Sequence, residues 1–237
     1  MDTRVTLQPA YVLHRRPFQN SSLLIDLFTY DYGRVKAIAK GARREKSRYR
    51  SFLQLFQPLL VSFSGRGEIK TVGAVETGMA PITLQGERLF SGLYINELLI
   101  RLLHNQEEHT PLYRDYQQTL LELQGTAALE TVLRRFEMTL LGELGYGLNL
   151  NEECFSHRPI EAGLSYRFTP DVGFEQAPKD DNGERIFLGR HLIALKDMTL
   201  QENEAAAAAK RLLRQALGVH LGDKPLASRS LFTSRNS

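Results

Sequence analysis

Gly33 to Gly41 reads GRVKAIAKG, and the fold turns on this stretch. Val35, Ala37 and Ala39 alternate with Arg34, Lys36, Ile38 and Lys40. A period of two is that of a strand with one buried face, and it sets Arg34, Lys36 and Lys40 on the face turned away from the core. Asp31-Tyr32-Gly33 in front of it is turn chemistry. Working outward, four more segments have strand length: AYVLHRRP (Ala10–Pro17), SLLIDLFT (Ser22–Thr29), LQLFQPLLVSFSG (Leu53–Gly65) and GEIKTVGAVETG (Gly67–Gly78). Asn20-Ser21 precedes the second, and Gly65-Arg66-Gly67 suits a tight hairpin turn. Five short strands with hardly room for a helix among them predict a small closed or nearly closed barrel over residues 1–80.

Beyond Pro81 the period changes to that of helices. Leu89, Leu93, Ile95, Leu98, Leu99, Leu102 and Leu103 predict a helix over Gln85–His104. A second covers Pro111–Leu123, with proline near its first turn. Leu129, Val132, Leu133, Phe136, Leu140, Leu141 and Leu144 form one stripe over Ala127–Leu144, ended by Gly145-Tyr146-Gly147. Short connections favour an antiparallel bundle. Residues 146–188 lack period and read as irregular, with room for a strand pair. AAAAAKRLLRQALGVHLG (Ala205–Gly222) is a strong helix former, and a short helix follows Pro225 over Leu226–Phe232. Residues 81–237 therefore form a second, helical domain, and the chain is of the α+β class.

At 237 residues, 42% apolar and 24% charged, the chain can build a sizeable core. No apolar run has membrane-spanning length. MDTRVTLQPAYVLH has neither an uninterrupted apolar segment nor a small-residue cleavage site, so no secretory signal is expected. A lone Cys154 excludes an intrachain disulfide framework and a cysteine-based zinc site. These features place the protein in the cytoplasm. The net charge of +3 hides a split: residues 1–80 carry 13 Lys+Arg against 6 Asp+Glu, and the remainder 17 against 21. One module makes the positive field, which points to an anionic polymer.

Between the third and fourth strands lies KGARREKSRYRS (Lys40–Ser51), with six basic residues and one acid, Glu45. It has no apolar face, which disfavours a membrane and favours nucleic acid. Arg34, Lys36, Lys40, Arg43, Arg44, Lys46, Arg48 and Arg50 are the candidate DNA-binding residues. Small barrels bind strands on such a face, with loops closing over the backbone. Tyr49 and Phe52 are available to stack on bases. No base-reading helix is present, so little sequence specificity is expected.

Other constellations are weaker. His14, His104, His109, His157, His191 and His220 show no ligand spacing, and no Gly-Lys-Ser/Thr follows Gly65 and Gly67. Asp26 and Asp31 lack the second acidic pair of a two-metal nuclease. Ser91 and Ser230 lack a nucleophile motif. A metal-dependent nuclease and an RNA-binding barrel stay as alternatives to a non-catalytic DNA-binding protein.

The stretches AYVLHRRPF, SLLIDLFTYDYGRVKAIAKGAR, LQLFQPLLVSFSGRGEIKT, SGLYINELLIRLL, LRRFEMTLLGELGYGLN and GDKPLASRSLF together resemble the RecO family of recombination mediators in DNA repair. They run in the family's order over nearly the whole chain. The resemblance implies an amino-terminal OB-fold barrel followed by an α-helical bundle domain. It implies binding of single- and double-stranded DNA, annealing of complementary strands, and loading of RecA on DNA coated by the single-stranded-DNA-binding protein SSB, with RecR as partner. It implies nucleoid association during repair, and no enzymatic activity or cofactor. It also implies a pocket for the SSB carboxy-terminal tail on the helix Ala127–Leu144. There Arg134 is the candidate for the peptide's carboxylate, Arg135 is the next, and Leu133 and Leu140 lie on the apolar stripe. Some members carry a four-cysteine zinc site in the irregular region. Here Asn151–Arg190 offers only Cys154 and His157, so no structural metal is expected and packing must hold the segment.

Overall fold

The computed structural model describes residues 4–233. Met1–Thr3 of the amino-terminal stretch inspected for a signal lie outside them. In chain order the elements are β1 (Arg4–Phe18), β2 (Ser22–Thr29), β3 (Gly33–Ala39), α1 (Tyr49–Phe52), β4 (Leu59–Ser64), β5 (Ile69–Glu76), α2 (Gly86–Leu102), α3 (Thr110–Gln124), α4 (Leu129–Glu143), β6 (Ser165–Thr169), β7 (Gly173–Gln176), β8 (Ile186–Leu188), α5 (Gly189–Lys196), α6 (Asn203–Leu221) and α7 (Ser228–Thr233).

β1 to β5 close into a barrel in the order β1-β2-β3-β5-β4, with β3 and β5 parallel and the other pairs antiparallel. This is an OB-type barrel, with the short α1 between its third and fourth strands. β1 works twice. Ala10–Phe18 pair with β2, and Arg4–Ala10 pair with β4. Register irregularities between Val5 and Gln8, and between Val12 and His14, bend it so that one strand can turn the corner. The interior is filled by Val12 from β1, by alternate residues Ile25 and Leu27 from β2, Val35, Ala37 and Ala39 from β3 and Val61 and Phe63 from β4, and by Val72 and Val75 from β5, where the register with β4 shifts. The alternation in GRVKAIAKG is thus the inside–outside alternation of the barrel wall.

The outside of β1 and β2 is covered too. Tyr11, Leu13 and Phe28 are buried there, and Tyr11 and Phe28 meet Tyr113 and Tyr116 of α3 with ring centroids 5.2–5.7 Å apart. Asn96 of α2 donates from Nδ2 to the Leu13 carbonyl at 3.0 Å and accepts from the Tyr116 hydroxyl at 2.8 Å. Glu97 faces the other way. Its carboxylate takes the Ala227 and Ser228 amides at 2.8 Å and the Ser228 hydroxyl at 2.6 Å, capping the start of α7. Adjacent residues of the YINELL stretch therefore tie the barrel and the PLASRSLF stretch to one helix. Gly33 is required where it stands: its φ is +54°, and a Cβ there would sit 1.7 Å from the Glu107 carbonyl oxygen.

The chain forms two compact units. One comprises the residues up to Gly125 together with those from Pro225 onward; the other is Thr126–Lys224. Helices α2, α3 and α7 thus pack in the same unit as the barrel. In the second unit α4 and α5 each pack on α6. The region expected to be irregular holds a three-stranded antiparallel sheet, β7-β6-β8, whose Tyr166, Phe168, Phe174 and Phe187 are buried. The third strand and α5 go beyond the sequence expectation. β8 has only three residues, and the α5 segment, GRHLIALK, is too short for its period to stand out. No described helix is long and apolar enough to cross a membrane.

Candidate nucleic-acid interface

The segment after β3 descends through successive turns. The Arg44 amide bonds the Gly41 carbonyl at 3.1 Å, Ser47 bonds Arg44 at 3.0 Å, and Arg50 bonds Ser47 at 3.1 Å. Its inner side is anchored by Ala42, 1% exposed, and by Tyr49 and Phe52, which pack against the barrel core. The Tyr49 hydroxyl donates to the Gly73 carbonyl of β5. The two aromatic rings that were available to stack on bases are half-buried and pin α1 to the barrel.

With the aromatics turned inward, the cations turn outward. Lys40, Arg43, Arg44, Lys46, Arg48 and Arg50 are all exposed, and none of the six is in an ion pair with a carboxylate among the described residues. Arg43 ties the loop to the β1–β2 turn: its amide bonds the Ser21 carbonyl at 2.8 Å, and its guanidinium reaches Gln19 O at 3.4 Å. Arg48 lies over the Tyr49 ring at 5.8 Å. Arg15 and Arg16, on the β1 arm of the same hairpin, are also exposed, and Arg15 reaches the Leu53 carbonyl at 2.9 Å. Sequence reasoning passed over this pair. Its signal was in the HRRP ending of the first strand segment, but contiguity in sequence hid a proximity that only barrel closure creates.

Arg34 does not belong to this face. Its side chain is 11% exposed. The guanidinium pairs with Asp26 at 2.7 Å and donates to the Ile100 and Leu103 carbonyls at the end of α2. The reason is topological. The outward face of β2–β3 near Gly33 is where the helices pack, so an arginine there caps a helix end and neutralises an aspartate. Lys36, directly opposite Asp26 in the register, is half-buried. β3 does alternate between barrel interior and exterior, but outward from a barrel is not the same as toward solvent.

The arginine expected to receive the SSB tail has a similar fate. Arg134 is 3% exposed and paired with Glu137, itself 1% exposed, at 2.9 Å across one helical turn. Leu133 and Leu140 are 6% and 0% exposed, so these side chains are packed in the core and do not line an open groove. Arg135 alone of the four is half-buried. Cys154 and His157 both lie in the loop before β6. Among the described residues no group of three or more His, Cys, Asp or Glu is arranged to hold a metal ion.

Residues 1–78 match the family model described as Recombination protein O N terminal, and residues 84–230 match Recombination protein O C terminal. The DNA repair protein RecO of Coxiella burnetii is 44% identical over 233 residues, covering 98% of this chain and 99% of that protein. Those of Salmonella dublin and Shigella flexneri are 44% identical over 226 residues, 95% of this chain and 93% of theirs. A five-stranded barrel with a cationic loop between its third and fourth strands, and likeness extending through both parts of the chain, agree on one assignment: the chain belongs to the RecO family of DNA repair proteins.

Proposed function

We propose that the chain is a non-catalytic recombination mediator that binds single- and double-stranded DNA and anneals complementary strands. Its barrel, residues 1–80, grips the DNA, and residues 81–237 carry the partner surfaces. With RecR it assists RecA loading on SSB-coated DNA in the cytoplasm, at the nucleoid. The observation that carries the reading is the set of six exposed cations on the loop packed against the barrel, without carboxylate partners among the described residues. Each cation that meets a phosphate releases condensed counterions, so a loop of this kind binds any sequence. Annealing needs no covalent chemistry: the cations lower the repulsion between two backbones, and base pairing drives the reaction. Because Tyr49 and Phe52 are held against the barrel, bases on the bound strand stay free to pair.

The test is DNA affinity across a salt series. For single strands, six phosphate contacts give a log–log slope of about −4. Reversing Arg43, Arg44 and Arg48 to Glu should abolish binding at moderate salt. Unchanged affinity in that variant removes the loop as the site. The same labelled strands incubated with Mg²⁺ or Mn²⁺ should give duplex and no fragments. Fragments would favour the nuclease, and preference for a matched RNA strand would favour the RNA-binding reading.

A further inference from the structure

The β1–β2 hairpin carries two cations outside the loop. Arg15 and Arg16 are both exposed, and among the described residues neither is in an ion pair with a carboxylate. Successive side chains of a strand point to opposite faces, so the two straddle β1. Arg15 stands opposite Ile25, a residue of the barrel core, and Arg16 stands opposite Leu24 on the other face. Arg15 donates to the Leu53 carbonyl at 2.9 Å. A guanidinium has five N–H donors, so that bond leaves others for a phosphate.

The path of the loop separates this pair from the loop's own cations. It starts beside the β1–β2 turn, where the Arg43 amide bonds the Ser21 carbonyl at 2.8 Å. It then reaches β5, where the Tyr49 hydroxyl donates to the Gly73 carbonyl and Arg48 lies over the Tyr49 ring at 5.8 Å. It returns to β1 at Leu53, which Arg15 bonds, and at Leu55, which bridges Val12. In the closed order β1-β2-β3-β5-β4, β5 is next to neither β1 nor β2. Arg48 therefore stands on one side of the barrel and the Arg15–Arg16 pair on the other. Facing sheet walls are about 10 Å apart, and the two backbones of a duplex are about 6–12 Å apart across its grooves. Two groups of exposed cations at that separation suit two phosphate backbones.

We propose, resting on the reading of the loop as a DNA site, that Arg15 and Arg16 hold the second phosphate backbone when two strands meet on the barrel, while the loop cations hold the first. Positive charge on both sides lowers the repulsion between the backbones as they approach. Arg15, by bonding Leu53, also keeps the hairpin fixed to the loop. Without this pair the loop retains one strand but receives the second slowly.

The test uses the full chain with Arg15→Gln and Arg16→Gln combined, glutamine keeping a donor for the Leu53 carbonyl. Anisotropy of a labelled single strand and of the preformed duplex is read across a salt series, and annealing of complementary labelled strands by energy transfer. The duplex log–log slope should become shallower by about 1.8, two phosphate contacts, while single-strand affinity and slope stay unchanged. The annealing rate should fall about tenfold. Arg15→Lys with Arg16→Lys should restore both, which a purely structural need for the guanidinium would not allow. Equal losses for single strand and duplex, an unchanged annealing rate, or failure of the lysine variant to restore it overturns the proposal. Reversal of Arg43, Arg44 and Arg48 to Glu separates the two readings. If that variant keeps both affinities, the loop is not the site and the proposal falls with it. If it loses binding while the glutamine variant anneals normally, only the role of Arg15 and Arg16 fails.

Discussion

At the residue scale, two arginines of the same sequence neighbourhood do opposite work. Arg34 is enclosed, bonded to Asp26 and to carbonyls at the end of α2, whereas Arg48 is exposed and, among the described residues, carries no ion pair. Arg34→Ala leaves Asp26 half-buried without its partner and should cost about 3 kcal/mol. Arg48→Ala should change stability by less than about 0.5 kcal/mol while lowering DNA affinity and making the salt slope shallower by about 0.7. Urea denaturation and DNA titration on both variants separate the roles, and a drop in DNA affinity for Arg34→Ala with unaltered stability would contradict this division. Arg134 belongs with Arg34. Arg134→Ala removes a buried, ion-paired partner of Glu137 and should cost about 3 kcal/mol, whichever peptide is present. A surface role in SSB-tail binding is therefore tested by Arg135→Ala, through the anisotropy of a labelled tail peptide.

At the scale of elements, α2 is the joint. Asn96 faces β1 and Glu97 faces the start of α7, so neighbouring side chains fasten two elements distant in sequence. Burial alone would raise the Glu97 carboxyl, but the bonds from Ser228 and Ala227, and the nearby Arg101, hold it below the usual range. A lowered folded value means that the clasp contributes stability above the ordinary glutamate range and loses it as pH falls through the folded value. Amide hydrogen exchange should therefore show α7 losing protection in acid before the barrel does, and Glu97→Gln should remove most of that dependence. The helix periods of α2, α3, α4 and α6 were plain in sequence, with ends within a few residues of those observed. α5 was not, because eight residues flanked by strand and turn give too little periodicity to read.

Over the whole molecule, the aromatic cluster of Tyr11, Phe28, Tyr113 and Tyr116 sets an alkaline limit. Burial pushes the Tyr11 hydroxyl up to about 12, and pushes Tyr113 and Tyr116 higher. A phenol held neutral in the fold, but free to ionise once unfolded, contributes full stability below the ordinary tyrosine range of about 10. That contribution drains away as pH rises toward the folded values. Urea midpoints should fall steeply above about pH 10, and Tyr11→Phe should flatten that fall. DNA binding below that range should be untouched by the substitution, since the cluster lies under the helices and not on the cationic loop.

Sequence alone determined the barrel strands, most of the helices and the presence of a dense cationic loop. These are local: a period of two or 3.6 and a run of charges are written in neighbouring residues. Only the tertiary structure decided which cations are free. Arg34 obeys the same alternation as Lys40, yet α2 covers one and not the other, and Arg15 and Arg16 join the loop's surroundings only because β1 and β2 turn back beside it. The same holds for the aromatics: the sequence leaves Tyr49 and Phe52 available for stacking, and only the barrel gives them a core to pack against. Whether a polar group meets solvent depends on what packs over it, and that is set by residues far away along the chain.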